Sequence, residues 1–396
     1  MHTNTKAAKI WQLTFSVSLL FLFFGCEEPG TIGGEFVDPI EIAIDTLFVT
    51  DLTTETIDPY LGKLTLSAVG SFNDSEFGQA TAFSFVKPEI SRISEDDTLR
   101  STFNFFLNLN MDFNDAFGDT STDNSYSIYR VINPWRGSTF RKSETITYST
   151  AEVIGSFDDS MIDSLGFVET RLTGTWKDDY IRIFNLPDSI REDEYRETDF
   201  GLAIVHNGVS NKISVINNTQ SQLTVIGADT TYQSFLDWGY DIDQAIPSSS
   251  GSTVALPSTY DNFLSFNLAE LADQVSSQDF IRAELVFNED TLALSSSLSD
   301  SEIRSSYLGL ALINDQVDDL GYQFVIGAFN ANAVNEDGAF VFNMTTLINN
   351  YFFSDTSLDK VYVYLFSNQG ALSYTSLFNE SSSPDLAPKL IIYSAN

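Results

Sequence analysis

The chain has 396 residues with 55 Asp and Glu against 20 Lys and Arg, a formal charge of −35 at pH 7. Such a balance repels phosphate backbones and excludes nucleic acid as a partner. One cysteine forbids an internal disulfide, while 43% hydrophobic residues, with 33 Phe and 16 Tyr, supply folded β-rich cores.

Residues 1–9 carry Lys6 and Lys9 and no acid, and residues 10–25, "IWQLTFSVSLLFLFFG", are apolar and uncharged. Sixteen residues suit the core of an export signal and fall short of the roughly 20 that a spanning helix needs. In "FLFFGCEEPG" the small Gly25 precedes Cys26, which predicts a signal peptide over 1–25 and an acylated Cys26 at the start of the mature chain. The stretch resembles the lipobox of bacterial lipoproteins, departing from it at Phe23 and Phe24. An ordinary signal peptide or an uncleaved anchor is the alternative. Acyl chains contribute about 0.8 kcal/mol per buried methylene, so two or three of them anchor a protein durably. Glu27 and Glu28 resemble the signal that exports Bacteroidota lipoproteins to the outer face of the outer membrane; a plain polar tether is the other reading. The glycines and prolines of residues 26–41 read as a flexible leash.

Beyond the leash, apolar residues alternate. "FNFFLNLNMDF" puts Phe103, Phe105, Leu107, Leu109, Met111 and Phe113 on one face, a period of two that fits a strand and breaks a helical stripe. Strands are also predicted at "TLFVTDL", "KLTLSAV", "ETITYST", "YIRIFNL", "NKISVIN" and "QLTVIGA". Further ones follow at "RAELVFN", "LGLALIN", "YQFVIGA", "KVYVYLF" and "KLIIYSA". Asn, Asp, Ser and Gly clusters separate them, the rhythm of an antiparallel sandwich. Helices are expected in "FNLAELADQVSS", "NMTTLINNYF" and the charged "NLPDSIREDEYRETDF". Four segments echo in order: "STFNFFLNLNMDFND" with "DFIRAELVFNED", "YSIYRVINPW" with "YLGLALINDQ", "YIRIFNLPDSI" with "FVFNMTTLIN", and "GLAIVHNGVSN" with "VYVYLFSNQGA". The expected fold is all-β: two antiparallel, jelly-roll-like sandwich domains at 42–228 and 229–396, favouring an internal duplication, with a few short capping helices.

Removing residues 1–25 makes the charge two units more negative and leaves His206 as the only histidine. A Cys/His nucleophile pair, a thiolate zinc site and a histidine ligand cluster are thereby excluded. His206 precedes the turn signal Asn207-Gly208 and reads as a strand-end residue. "DFNDAFGDTSTDN" offers Asp112, Asn114, Asp115, Asp119 and Asp123 as oxygen ligands, with Asp112, Asp115 and Asp119 as calcium candidates. It lacks the bidentate glutamate and the glycine of the known calcium loop, so a solvated loop is the simpler reading. No segment isolates the buried carboxylate pair that glycoside hydrolysis requires. Trp135, in "INPWRG", is a candidate contact residue that could stack on a sugar or a partner protein, while Trp176 reads as core at the start of a strand.

"LGKLTLSAVGSFNDSEFGQATAFSF", through Asp74, Phe77, Gly78 and Ala82, is similar to the opening block of a Bacteroidota outer-membrane lipoprotein family catalogued as domain of unknown function four-two-seven-zero. "YSIYRVINPW" and the closing "APKLIIYSAN" match later blocks, although the tyrosine-rich ending is reduced to Tyr393. Phe77-Gly78 itself reads as a corner between strands. The resemblance implies a place in the cell envelope and no activity. The expectation is a lipid-anchored, outward-facing outer-membrane protein without catalytic residues or cofactor, serving as a protein-binding accessory subunit. The alternative is a glycan-binding or adhesive surface lipoprotein.

Overall fold

Period-two alternation becomes strand where it meets a partner: in "FVETRL", Val168, Thr170 and Leu172 are buried while Phe167, Glu169 and Arg171 are exposed. The computed structural model describes residues 41–395 apart from 51, 57, 75–77, 93–96, 120, 209–210, 245–250, 258–261, 267–279, 292–306, 318–322, 350–360 and 365–373.

The first strands are β1 (Ile42–Phe48), β2 (Thr53–Thr56), β3 (Leu66–Asp74), β4 (Gly78–Pro88), β5 (Asn104–Gly118), β6 (Ser125–Val131), β7 (Tyr148–Ser149) and β8 (Gly155–Asp158). Then come β9 (Phe167–Leu172), β10 (Leu202–Asn207), β11 (Lys212–Ile226), β12 (Thr230–Gln233), β13 (Phe235–Gln244), β14 (Thr253–Pro257) and β15 (Asn262–Phe266). The last are β16 (Phe280–Asn288), β17 (Tyr307–Val317), β18 (Gln323–Glu336), β19 (Ala339–Asn343), β20 (Val361–Tyr364), β21 (Tyr374–Phe378) and β22 (Lys389–Ala395). Helices α1 (Thr175–Phe184) and α2 (Asp188–Thr198) separate β9 from β10, and a helical turn, Thr345–Leu347, follows β19.

Among the described residues the strands form two large antiparallel sheets, and the fold is all-β and sandwich-like. One runs β7-β6-β10-β4-β3-β11-β5-β9, with β8 on β6, β12 on β11 and β13 on β4. The other runs β1-β22-β16-β19-β18-β17-β20-β15-β2, with the pair β14–β21 apart from it. Each folds over through a shared strand. β4 pairs with β3 through Gly78–Ala82 and with β10 through Ser84–Val86. β18 pairs with β17 from Gln323 to Val334 and with β19 at Asn335 and Glu336.

The two sheets repeat one plan. β6–β10–β4 and β11–β5–β9 in the first match β17–β20–β15 and β22–β16–β19 in the second, and a helical segment follows β9 as it follows β19. Three of the four echoes fall on equivalent strands: β5 with β16, β6 with β17, β10 with β20. The remaining echo sets the end of α1 against β19 and is out of register. The outermost strands are exchanged. β12 and β13 pair with β11 and β4, whereas β1 and β2 pair with β22 and β15. Each half of the chain thus gives its opening two strands to the other half's sheet. Sheet membership therefore crosses the expected boundaries of 42–228 and 229–396, because strand pairing follows open edges rather than sequence adjacency.

The interiors follow the plan. Leu264, Leu285, Phe287, Leu308, Phe340, Phe342 and Leu390 fill the second sheet's core. Phe105, Leu107, Leu109, Tyr126, Leu202 and Ile216 fill the first. A further core, with Phe85, Phe140, Ala203 and Tyr240, lies on the other face of β4 and β10.

Several local expectations change. "YIRIFNL", read as a strand, is the end of α1: extending back to Thr175 places Trp176, Tyr180, Ile183 and Phe184 on one buried helical stripe. Trp176 is core as expected, but in a helix. "ETITYST" yields only the two residues of β7. The charged excursion is helical, as α2. "NMTTLINNYF" is helical at Thr345–Leu347, whereas "FNLAELADQVSS" beyond Phe266 lies outside the described residues, as does Phe77.

Candidate functional site

Among the described residues the most deeply buried acid lies where α2 runs into β10. A Cβ at Gly201, whose φ is +89°, would meet the Val86 carbonyl, so only glycine lets β10 start this close to β4. The Asp199 side chain, fully buried, accepts from Gly201 N at 2.7 Å and from Trp176 Nε1 at 3.4 Å. Burial pushes its carboxyl above the usual range, and Lys87 and Arg130 partly oppose this. Burial in turn lowers Lys87, whose Nζ donates to the Tyr195 carbonyl at 3.2 Å and sits over the Tyr195 ring. The hydroxyls of Tyr195 and Tyr180 donate to the carbonyls of Pro88 and Glu89, each at 2.5 Å, and burial holds both phenols neutral. These groups tie the helices to the sheet.

A cleft of about 400 Å³ opens beside this centre, lined by Arg130, Glu152, Thr175, Thr198 and Phe200 among others. Its charged walls are engaged. Arg130 pairs with Asp179 at 2.6 Å, and Glu152 accepts from the Thr175 N–H, which caps α1.

A second polar centre joins β6, β11 and the turn after β8. Lys212 Nζ lies 2.7 Å from Asp159 Oδ2, with both side chains under a tenth exposed. Asn124 N donates to the same oxygen at 2.8 Å. The Tyr126 hydroxyl is 3.2 Å from Asp159 Oδ1 and 2.7 Å from Ser214 Oγ, and burial raises its pKa strongly. His206, near the end of β10, packs edge-on to Tyr126 and burial lowers its pKa. The strand-end position is the expected one, and its neighbours form a structural network rather than a nucleophile's surroundings.

Trp135 is half-buried rather than presented as a platform: its indole N–H donates to the Phe200 carbonyl at 2.7 Å and its ring meets Phe85 edge-on. It pins the loop after β6 over the outer core. Asp112 and Asp115 belong to β5, whereas Asp119 lies just past it and accepts from Ser121 N and Oγ. Between them β5 bulges against β11, where Val215 pairs with Asp112 and Ile213 with Phe117. No cluster of three or more His, Cys, Asp or Glu groups able to hold a metal occurs among the described residues. Cys26, Glu27 and Glu28 lie outside the described residues.

The least expected feature is a surface. On β1, Ile42, Ile44 and Phe48 are 60%, 61% and 44% exposed. Register places Ile44 opposite Tyr393 and Thr46 opposite Ile391 on β22, and Tyr393 opposite Arg282 on β16. Directly opposed residues share a face, so one outward apolar stripe spans β1 and β22. Tyr393 donates to Glu284 Oε2 at 3.0 Å, a polar border to that stripe. The alternation Ile42, Ile44 in "EIAIDTLF" was the available signal; the strand predicted at "TLFVTDL" begins at Thr46, four residues too late to include it.

No family model matches the chain, and no curated protein does. Among solved structures, the glycosylasparaginase PNGase F from Flavobacterium meningosepticum aligns over 89% of this chain and 96% of its own, at 10% identity and a TM-score of 0.11. A likeness so slight bears on neither fold nor function.

Proposed function

We propose that this chain is a lipid-anchored, outward-facing outer-membrane protein of non-enzymatic type, akin to the uncharacterised Bacteroidota lipoprotein family, which binds another envelope protein as an accessory subunit. The observation that carries the reading is the exposed apolar stripe of β1 and β22. In a chain of charge −35 it stands out as a surface suited to burial against protein. Its position supports the reading as well, since β1 starts where the expected leash of residues 26–41 ends. The buried polar centres fit this reading, because Asp159, Tyr126, Tyr180 and Tyr195 are engaged in holding helices and strands together.

Two measurements test it. Labelled fatty acid should enter the wild-type chain and not Cys26→Ser. A C-terminal tag should recover, from outer membranes in mild detergent, a second envelope protein at a fixed ratio, and Ile44→Asp should release it. Recovery of the chain alone, with wild-type and Ile44→Asp behaving alike, would sink the accessory-subunit reading. The glycan-binding alternative needs an exposed aromatic platform, a role to which Trp135 lends no support; a glycan panel read by tryptophan fluorescence decides it.

A further inference from the structure

We infer that β1 receives its partner by strand addition: an extended segment of the partner protein pairs with the open edge of β1 and lays its side chains on the apolar stripe. This rests on the protein-binding reading above and specifies its mode. β1 pairs with β22 from Ile42–Ala395 to Phe48–Lys389 without a register shift, and it stands at the end of its sheet among the described residues.

The ladder fixes which groups face outward. Val49 N donates to the Pro388 carbonyl at 3.0 Å, one step beyond the pair Phe48–Lys389. In an antiparallel ladder bonded and non-bonded pairs alternate. Leu47, Asp45 and Ala43 therefore bond to β22, while Phe48, Thr46, Ile44 and Ile42 turn their N–H and C=O groups to the open edge. These are the same residues whose side chains form the exposed stripe. Among the described residues one strand edge thus offers both a row of unpaired backbone groups and alternate apolar side chains, the two components of recognition by strand addition.

Other strands at sheet ends are short or charged: β7 has two residues and β2 has four, β9 has six with Glu169 and Arg171 on its exposed face, and β13, paired only with β4, carries Asp237, Asp241 and Asp243. β1 has seven, with Asp45 its only charge. Other occupants fit less well. Two copies of the chain would bring −35 together with −35. A lipid surface would leave the edge N–H groups unbonded in hydrocarbon.

The test uses the full-length lipidated protein in its native outer membrane, with a photo-crosslinking phenylalanine analogue at Phe48 and substitutions at Ile44. Ile44→Ala keeps the edge N–H and loses apolar area. Ile44→Pro keeps an apolar side chain and loses the N–H, which makes no bond to β22. Strand addition predicts one protein adduct, lowered a few-fold by Ile44→Ala and at least about tenfold by Ile44→Pro. Thr46→Pro, which removes the next edge N–H, should act like Ile44→Pro, and guards against local disruption at one site; unchanged thermal transitions in both establish that the fold is kept. A protein adduct lowered equally by Ala and Pro overturns strand addition and leaves the protein-binding reading standing. Adducts only to lipid, only to a second copy, or to nothing overturn both.

Discussion

Lys212 and Asp159 are a buried pair whose charges are useful only together. Removing one strands the other in low dielectric, which costs about 3–5 kcal/mol. Lys212→Met should lower the unfolding free energy by that much in urea, and Asp159→Asn added to it should recover most of the loss. Asp199 carries a pH signature. Its folded pKa is raised by burial, so the stability it contributes is present below the unfolded carboxylate pKa and is lost as pH rises through the folded one. Between pH 4 and pH 7, unfolding free energy should therefore fall more steeply with pH for wild type than for Asp199→Asn. Equal slopes in the two titrations would show that the buried carboxyl is not the source.

At the scale of elements, α1 is held by one stripe, Trp176, Tyr180, Ile183 and Phe184, while its outer face carries Lys177, Asp178 and Arg182. Ten residues are too few for a stable isolated helix, so packing maintains it. Trp176→Ala should cost about 3–5 kcal/mol, read by chemical denaturation, because it removes the largest fully buried side chain and the indole that donates to Asp199. β1 is the opposite case. Ile42 and Ile44 are mostly exposed, so Ile44→Ala should shift stability by less than about 0.5 kcal/mol. A thermal melt of Ile44→Ala several degrees below wild type would mean that the stripe is internal packing rather than a free surface.

At the scale of the whole molecule, the exchange of opening strands couples the two sheets. β1 and β2 precede the first sheet in sequence and complete the second. Deleting residues 42–56 should therefore destabilise the distant C-terminal sheet and spare the adjacent N-terminal one. The signals separate cleanly, since Trp135, Trp176 and Trp238 all sit in or against the first sheet. Tryptophan fluorescence should keep its unfolding midpoint in the deletion variant while the far-ultraviolet circular dichroism loses part of its β signal at low denaturant. A loss of the tryptophan transition with retention of the rest would reverse the assignment.

Much of this was written locally. The strand periodicity of "FNFFLNLNMDF", the turn at Asn207-Gly208 and the charged helix at Asp188–Thr198 are short-range patterns, legible because alternation and helical stripes depend on near neighbours. α1 was misread because its stripe spans Thr175–Phe184, while "YIRIFNL" alone shows an alternation that suits a strand as well. The engagement of Trp135 by the Phe200 carbonyl, separated by 65 residues, had no local signal. Nor did the burial of Asp199, which depends on two helices closing over one sheet. The chain by itself determined an all-β class, the repeated plan of strands and a markedly acidic surface. Only the tertiary structure decided which sheet each opening pair of strands would join, and that β1 would end its sheet among the described residues, because hydrogen-bonded pairing between strands hundreds of residues apart depends on which edges remain free, a property that no segment carries alone.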